Sequence, residues 1–111
     1  MRLEEKKYLF DILQSIEAIE LYLPSSINYQ DFSNNQMLQD AVVRRLEIIG
    51  EAAIQLLKLN SEINISDIRK IKGLRNRIVH EYDMIKVDEI WVIIKRSLPL
   101  LKHEVQMFLE Q

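Results

Sequence analysis

QMLQDAVVRRLEIIGEAAIQLLKL, Gln36 to Leu59, reads as one long helix. Leu38, Ala41, Val42, Ile49, Ala52, Ala53 and Leu56 recur at spacings of three, four and seven, the period that gathers side chains on one helical face. Asp40, Arg44, Glu47, Glu51, Gln55 and Lys58 form an equally regular polar stripe. Gly50 lies mid-helix, where it costs about 1 kcal/mol relative to alanine. Close approach of a second helix would justify that cost.

The same period runs outward in both directions. Upstream, Leu9, Ile12, Leu13, Ile16, Ile19 and Leu23 predict a helix over about Leu3 to Leu23, stopped by Pro24 and Ser25. The stretch between, SSINYQDFSNN, reads as a polar loop, with Ser33 and Gln36 at capping-box spacing to open the long helix. Downstream, Ser66 is the expected N-cap of a helix over about Asp67 to His80, with Gly73 a candidate kink. Residues 82 to 86 read as a connector. Val87 or Asp88 then starts a helix through Ile90, Trp91, Ile93 and Ile94, broken or bent at Pro99 and continued by LLKHEVQMFLE. Alternating strand patterns and hairpin turns are missing. The expectation is an all-α chain, an up-and-down bundle of four to five helices.

Composition narrows the class. The 111 residues fit one domain, 1–111, with 48% hydrophobic and 29% charged residues. With no cysteine, disulfides, thiolate metal sites and cysteine nucleophiles are excluded. The N-terminal stretch carries charges every few residues, unlike a signal peptide or a membrane span. A cytoplasmic protein is expected. The net charge is −2, so binding to a polyanion would need local clustering of cations. One window supplies it: RKIKGLRNR, Arg69 to Arg77, has five positive residues among nine and no acid.

Turning about 100° per residue sorts that helix into faces. With Ile71 at the centre of the apolar face, Ile68, Leu74, Ile78 and Val79 lie within about 80° of it. Arg69, Asn76 and His80 fall roughly opposite, and Asn76 and His80 are neighbours at i, i+4. Arg75 falls about 40° from the centre, on the side that should be buried. An arginine there requires a carboxylate, a groove or a second subunit, and Glu47 and Glu51 are the candidate carboxylates. Arg75 and His80 are about 140° apart on one helix. Two copies of the helix facing across a twofold axis would bring both kinds of side chain into one cleft.

The string RNRIVHEY, Arg75 to Tyr82, resembles the Arg-x4-6-His motif of the HEPN superfamily of ribonucleases. The tyrosine two residues after the histidine resembles the HepT branch, the toxin of HepT/MNT toxin–antitoxin systems. RRLEIIGEAA, Arg44 to Ala53, is similar to that family's second-helix signature, and VDEIWVIIKRSLPLLKHEV, Val87 to Val105, to its C-terminal helices. The resemblance spans roughly Leu9 to Leu109.

It implies a HEPN-like homodimer that cleaves RNA, tRNA or mRNA, without metal or other cofactor, at a cleft on the subunit interface. Arg75 and His80 become the catalytic pair, with Asn76 an orienting neighbour and Glu51 in support. Arg69, Lys70, Lys72 and Arg77 would hold flanking phosphates. The partner implied is an MNT-type nucleotidyltransferase antitoxin that adenylylates the motif tyrosine, here Tyr82. Two other classes stay open on the residues alone: a non-catalytic substrate- or partner-binding subunit of a nucleotidyltransferase, and a purely structural helical dimer. His80 and His103 are far apart in sequence, and HEVQM lacks the second histidine of a zinc helix, so no metal site is expected.

Overall fold

The long helix forms where its pattern places it, as α3 (Gln36–Leu59), in a computed structural model that describes residues 2–111. Around it stand α1 (Leu3–Tyr22), the short α2 (Tyr29–Ser33), α4 (Ile68–His80), α5 (Val87–Val92) and α6 (Leu98–Leu109). No strand forms among the described residues. The all-α class expected from the sequence is the class observed.

Helix α3 is the central column. It packs along α1 on one side and α4 on the other, while α6 lies against α1. Val42, Leu46, Ile49, Ala53 and Leu56 of α3 meet Leu9, Ile12, Ile16 and Ile19 of α1 and Leu101 and Val105 of α6 in one core, each at most 3% exposed. Burying a Leu or Ile contributes about 1.5–3 kcal/mol, so this apolar stripe, rather than helix propensity, fixes the arrangement.

Three local features differ from the sequence reading. The polar loop contains α2. Asn28 caps it by accepting from the Asp31 N–H at 2.8 Å, and Phe32, fully buried, pins it against Trp91 with ring centroids 5.5 Å apart. Asn35, not Ser33, caps α3 by accepting from the Leu38 N–H at 3.0 Å. Ser66 does not cap α4. Its hydroxyl donates to Glu104 at 3.0 Å, and the chain enters α4 through Asp67 at φ 62°, a left-handed turn that Asp tolerates better than most residues.

At Pro99 the break takes the form of a π-helical turn, Ile93–Ser97, between α5 and α6. Pro99 has no N–H to give the turn before it and crowds its carbonyls. The Leu98 N–H reaches back to the Ile93 carbonyl instead, which widens the helix by one residue and keeps it continuous. Gly73 does not interrupt α4.

Candidate active site

Gly50 explains Arg75. A Cβ on Gly50 would lie 2.2 Å from the Arg75 Cβ and 3.2 Å from the Ile71 carbonyl oxygen. So α3 and α4 touch backbone to backbone at this glycine, and the arginine stem lies directly across it. One end of its guanidinium, Nη1, donates to Asn76 Oδ1 at 3.1 Å. The other, Nη2, is 3.6 Å from Glu51 Oε1. Of the two candidate carboxylates, the structure therefore selects Glu51, while Glu47 pairs with Arg44 at 3.3 Å. Arg75 Nε is buried and has no acceptor among the described residues. The head faces a cleft of about 510 Å³ between α1, α3 and α4.

His80 is the last residue of α4 and is exposed. The amide oxygen of Asn76 accepts from Arg75, and among the described residues no hydrogen bond joins Asn76 to the imidazole. No hydrogen bond joins Arg75 to His80 among the described residues, as their separation of about 140° around the helix requires. One chain therefore carries both groups on neighbouring faces without uniting them.

After Glu81 the chain makes a single 3₁₀ turn, Tyr82–Met84. The half-exposed Tyr82 crosses back to α3 and its hydroxyl donates to Asp40 Oδ1 at 2.7 Å. Asp40 also accepts from the Gln36 amide at 2.8 Å. The Tyr82 hydroxyl first, then Gln36, draws the Asp40 carboxyl below its ordinary value. The Asp40 carboxylate in turn raises the phenol. The place of Asp40 on the acidic stripe with Glu47 and Glu51 suggests pairing with an arginine, but the structure gives Asp40 to Tyr82. Its partner lies 42 positions away, and only the fold brings them together.

The basic run does not form one patch. Measured from Ile71, Lys72, Arg75, Asn76, Arg69 and His80 span about 40° to 180° on one side of α4, while Lys70 and Arg77 lie at about 100° to 120° on the other. Arg77 grips Glu89 of α5 at 2.8 and 3.4 Å, and this pair raises the guanidinium and lowers the carboxyl. Lys70 stands 3.6 Å from Asp67, and both cations line a separate cavity with Ile93 and Ser97. Arg69 donates to the Ser61 carbonyl at 3.3 Å. Among the described residues no three His, Cys, Asp or Glu side chains gather as a metal-ion site, and no helix is long and apolar enough to cross a membrane.

The profile of the family described as "Ribonuclease HepT-like" matches residues 12–108. "Putative RNase MJ1380" of Methanocaldococcus jannaschii is 35% identical over 104 residues, which cover 92% of this chain and 94% of that protein. "Probable ribonuclease HepT" of Thermococcus cleftensis is 35% identical over 106 residues, covering 92% and 93%. "Gamma-glutamylcyclotransferase and putative RNase MJ0434" of M. jannaschii is 35% identical over 112 residues, all of this chain but only 50% of that longer protein. No solved structure gives a significant match.

Proposed function

The chain belongs to the HepT-like ribonuclease family, and on that premise we propose that it is a metal-independent endoribonuclease, the toxin of a HepT/MNT pair. The observation that carries this reading is the presentation of Arg75. Its stem is locked over Gly50, its head is steered by Glu51 and Asn76, and its face is turned to an open cleft. A planar guanidinium held in this way offers two hydrogen bonds to a phosphate and keeps its charge at any physiological pH.

The reaction is transesterification. The 2′-oxygen attacks phosphorus, the bond from phosphorus to the 5′-oxygen breaks, and a 2′,3′-cyclic phosphate and a 5′-hydroxyl result. One proton leaves the 2′-hydroxyl and one joins the 5′-oxygen. His80 makes one of these transfers, since imidazole both takes and gives protons near neutral pH. Arg75 neutralises the charge that grows on the phosphorane. Arg69 and Lys72, on the same side of α4, hold neighbouring phosphates. Because Arg75 and His80 diverge on one helix, the site is completed by a second copy of the chain, whose α4 faces the first across a twofold axis.

Tyr82 is the point of control. An adenylate on its oxygen adds bulk and negative charge two residues from His80, where RNA phosphates must pass. The nucleotidyltransferase antitoxin places it there.

RNA cleavage with and without EDTA, on a sample whose mass is set by sedimentation, tests the proposal. Metal-independent cutting by a dimer is expected. A protein that binds RNA or the nucleotidyltransferase but never cuts would instead be a docking subunit, and EDTA-sensitive cutting would require another mechanism. Mass spectrometry after co-expression with the nucleotidyltransferase should find Tyr82 heavier by one AMP; an unmodified Tyr82 would remove the control step.

A further inference from the structure

The cations around Arg75 divide by the side of α4 they occupy, and the division points to a path for the substrate. Lys70 and Arg77 face away from Arg75 and stand beside Asp67 and Glu89. On the Arg75 side, the cleft wall is built by α1 and α3 as well as α4, and it includes Lys7, Asp11, Gln55 and Lys58. Among the described residues, no carboxylate lies within 4.0 Å of the Lys58 ammonium. The same holds for Lys72, about 60° from Arg75 on the same side of α4.

We propose that this cleft is a subsite for single-stranded RNA, in which Lys58 of α3 and Lys7 of α1 hold phosphates flanking the one at Arg75. The inference rests on the nuclease reading, which puts the scissile phosphate at Arg75. A strand whose phosphate touches that guanidinium must run along the wall the guanidinium shares. A cleft of about 510 Å³ lies within the roughly 300–1,000 Å³ of ordinary ligand pockets, so it has room for more than a phosphate group.

Its charged side chains are the cations Lys7, Lys58 and Arg75 against the carboxylates Asp11 and Glu51, which leaves a positive balance. The two carboxylates place two of the cations. Asp11 holds the Lys7 ammonium at 2.9 Å and Glu51 sits 3.6 Å from Arg75. Both pairs are open to water, and such pairs are weak and exchange readily for a phosphate. Helix α3 thus does two things for the site. Gly50 admits Arg75, and Lys58, eight positions on, extends the positive surface by about 12 Å along the axis.

The test uses one RNA sequence in two forms, an uncleavable 2′-O-methyl oligonucleotide for binding and the natural RNA, in EDTA, for cutting. Fluorescence anisotropy is followed as a function of salt for wild type, K58A, K58Q, K7A and K70A, each checked for folding by its thermal transition. Each lost phosphate contact to a single strand should flatten the plot of log affinity against log salt by about 0.7. K58A, K58Q and K7A are expected to show that loss, and K70A to keep the wild-type slope. Wild-type slopes in K58A and K58Q, or a flattened slope in K70A, would overturn the subsite. A wild-type protein that binds with the expected pattern but does not cut would sink the nuclease reading and leave the subsite standing. Cutting with an unchanged K58A slope would do the reverse, and a wild type that binds no RNA would end both.

Discussion

Arg75 crosses α3 at Gly50 so closely that a Cβ on the glycine would lie 2.2 Å from the Cβ of the arginine. Neither atom is the far end of a flexible side chain, so alanine at 50 must push α3 and α4 apart. Overpacking of this kind costs about 1–3 kcal/mol, more than the roughly 1 kcal/mol alanine gains as a helix former. At Gly73, apart from its chain neighbours and the backbone of its own helix, no atom of the described residues lies within 4 Å of an added Cβ, and alanine there keeps its helix-forming gain of about 1 kcal/mol. Urea denaturation should therefore show G50A less stable and G73A more stable than wild type. Equal shifts of the same sign would contradict the close crossing.

The bond from Tyr82 to Asp40 predicts a pH signature. The Asp40 carboxyl lies below its ordinary 3.8, so its contribution to stability is present above that value and lost as pH falls through the lowered one. The Tyr82 phenol lies above its ordinary 10.0, so its contribution is present below that value and lost as pH rises through the raised one. The bond thus persists across the whole neutral range. In Y82F, the Asp40 carboxyl followed by NMR should titrate higher than in wild type, and the stability difference between the two proteins should vanish at low pH. An Asp40 titration unchanged by Y82F would show that the bond does not form.

Arg77 and Glu89 are predicted to serve the fold. R77A and E89A should each lower the thermal transition, and the double variant should lose less than the two separately, since either one alone strands the other's charge. Cleavage per folded molecule should stay at the wild-type level in R77A. A selective loss of cleavage in R77A at wild-type stability would return this arginine to the substrate.

Much of this was legible in the residues. The four long helical columns follow from apolar spacing, and the glycine of α3 already asked for a close neighbour. The divergence of Arg75 and His80 is a matter of five positions on a helix, so it too could be read directly. Helix α2 was hidden in a polar stretch because a five-residue helix carries no period; its signals were Asn28 three before Asp31 and the apolar Phe32 among polar neighbours. Ser66 has good capping chemistry, yet Glu104 of α6 claims its hydroxyl, and that partner is 38 positions away.

The basic run shows the same limit more sharply. Five cations in nine positions read as one patch, but a helix distributes them around its circumference. Which of them stay free depends on where Glu89 and Asp67 come to rest. Lys7 and Lys58 carried no signal at all, since each is one polar residue on the outer stripe of its helix. Their place beside Arg75 is a product of the packing of α1, α3 and α4.

The central claim is that His80 moves a proton in RNA cleavage at a site completed by a second copy of the chain. The most direct measurement is the rate at which H80A cleaves RNA in EDTA, relative to wild type, with both proteins dimeric and equally stable. His80 is exposed at the end of α4, so alanine should leave the fold intact. The account predicts a fall of about 10²–10⁴-fold. Cleavage by H80A at the wild-type rate would contradict it.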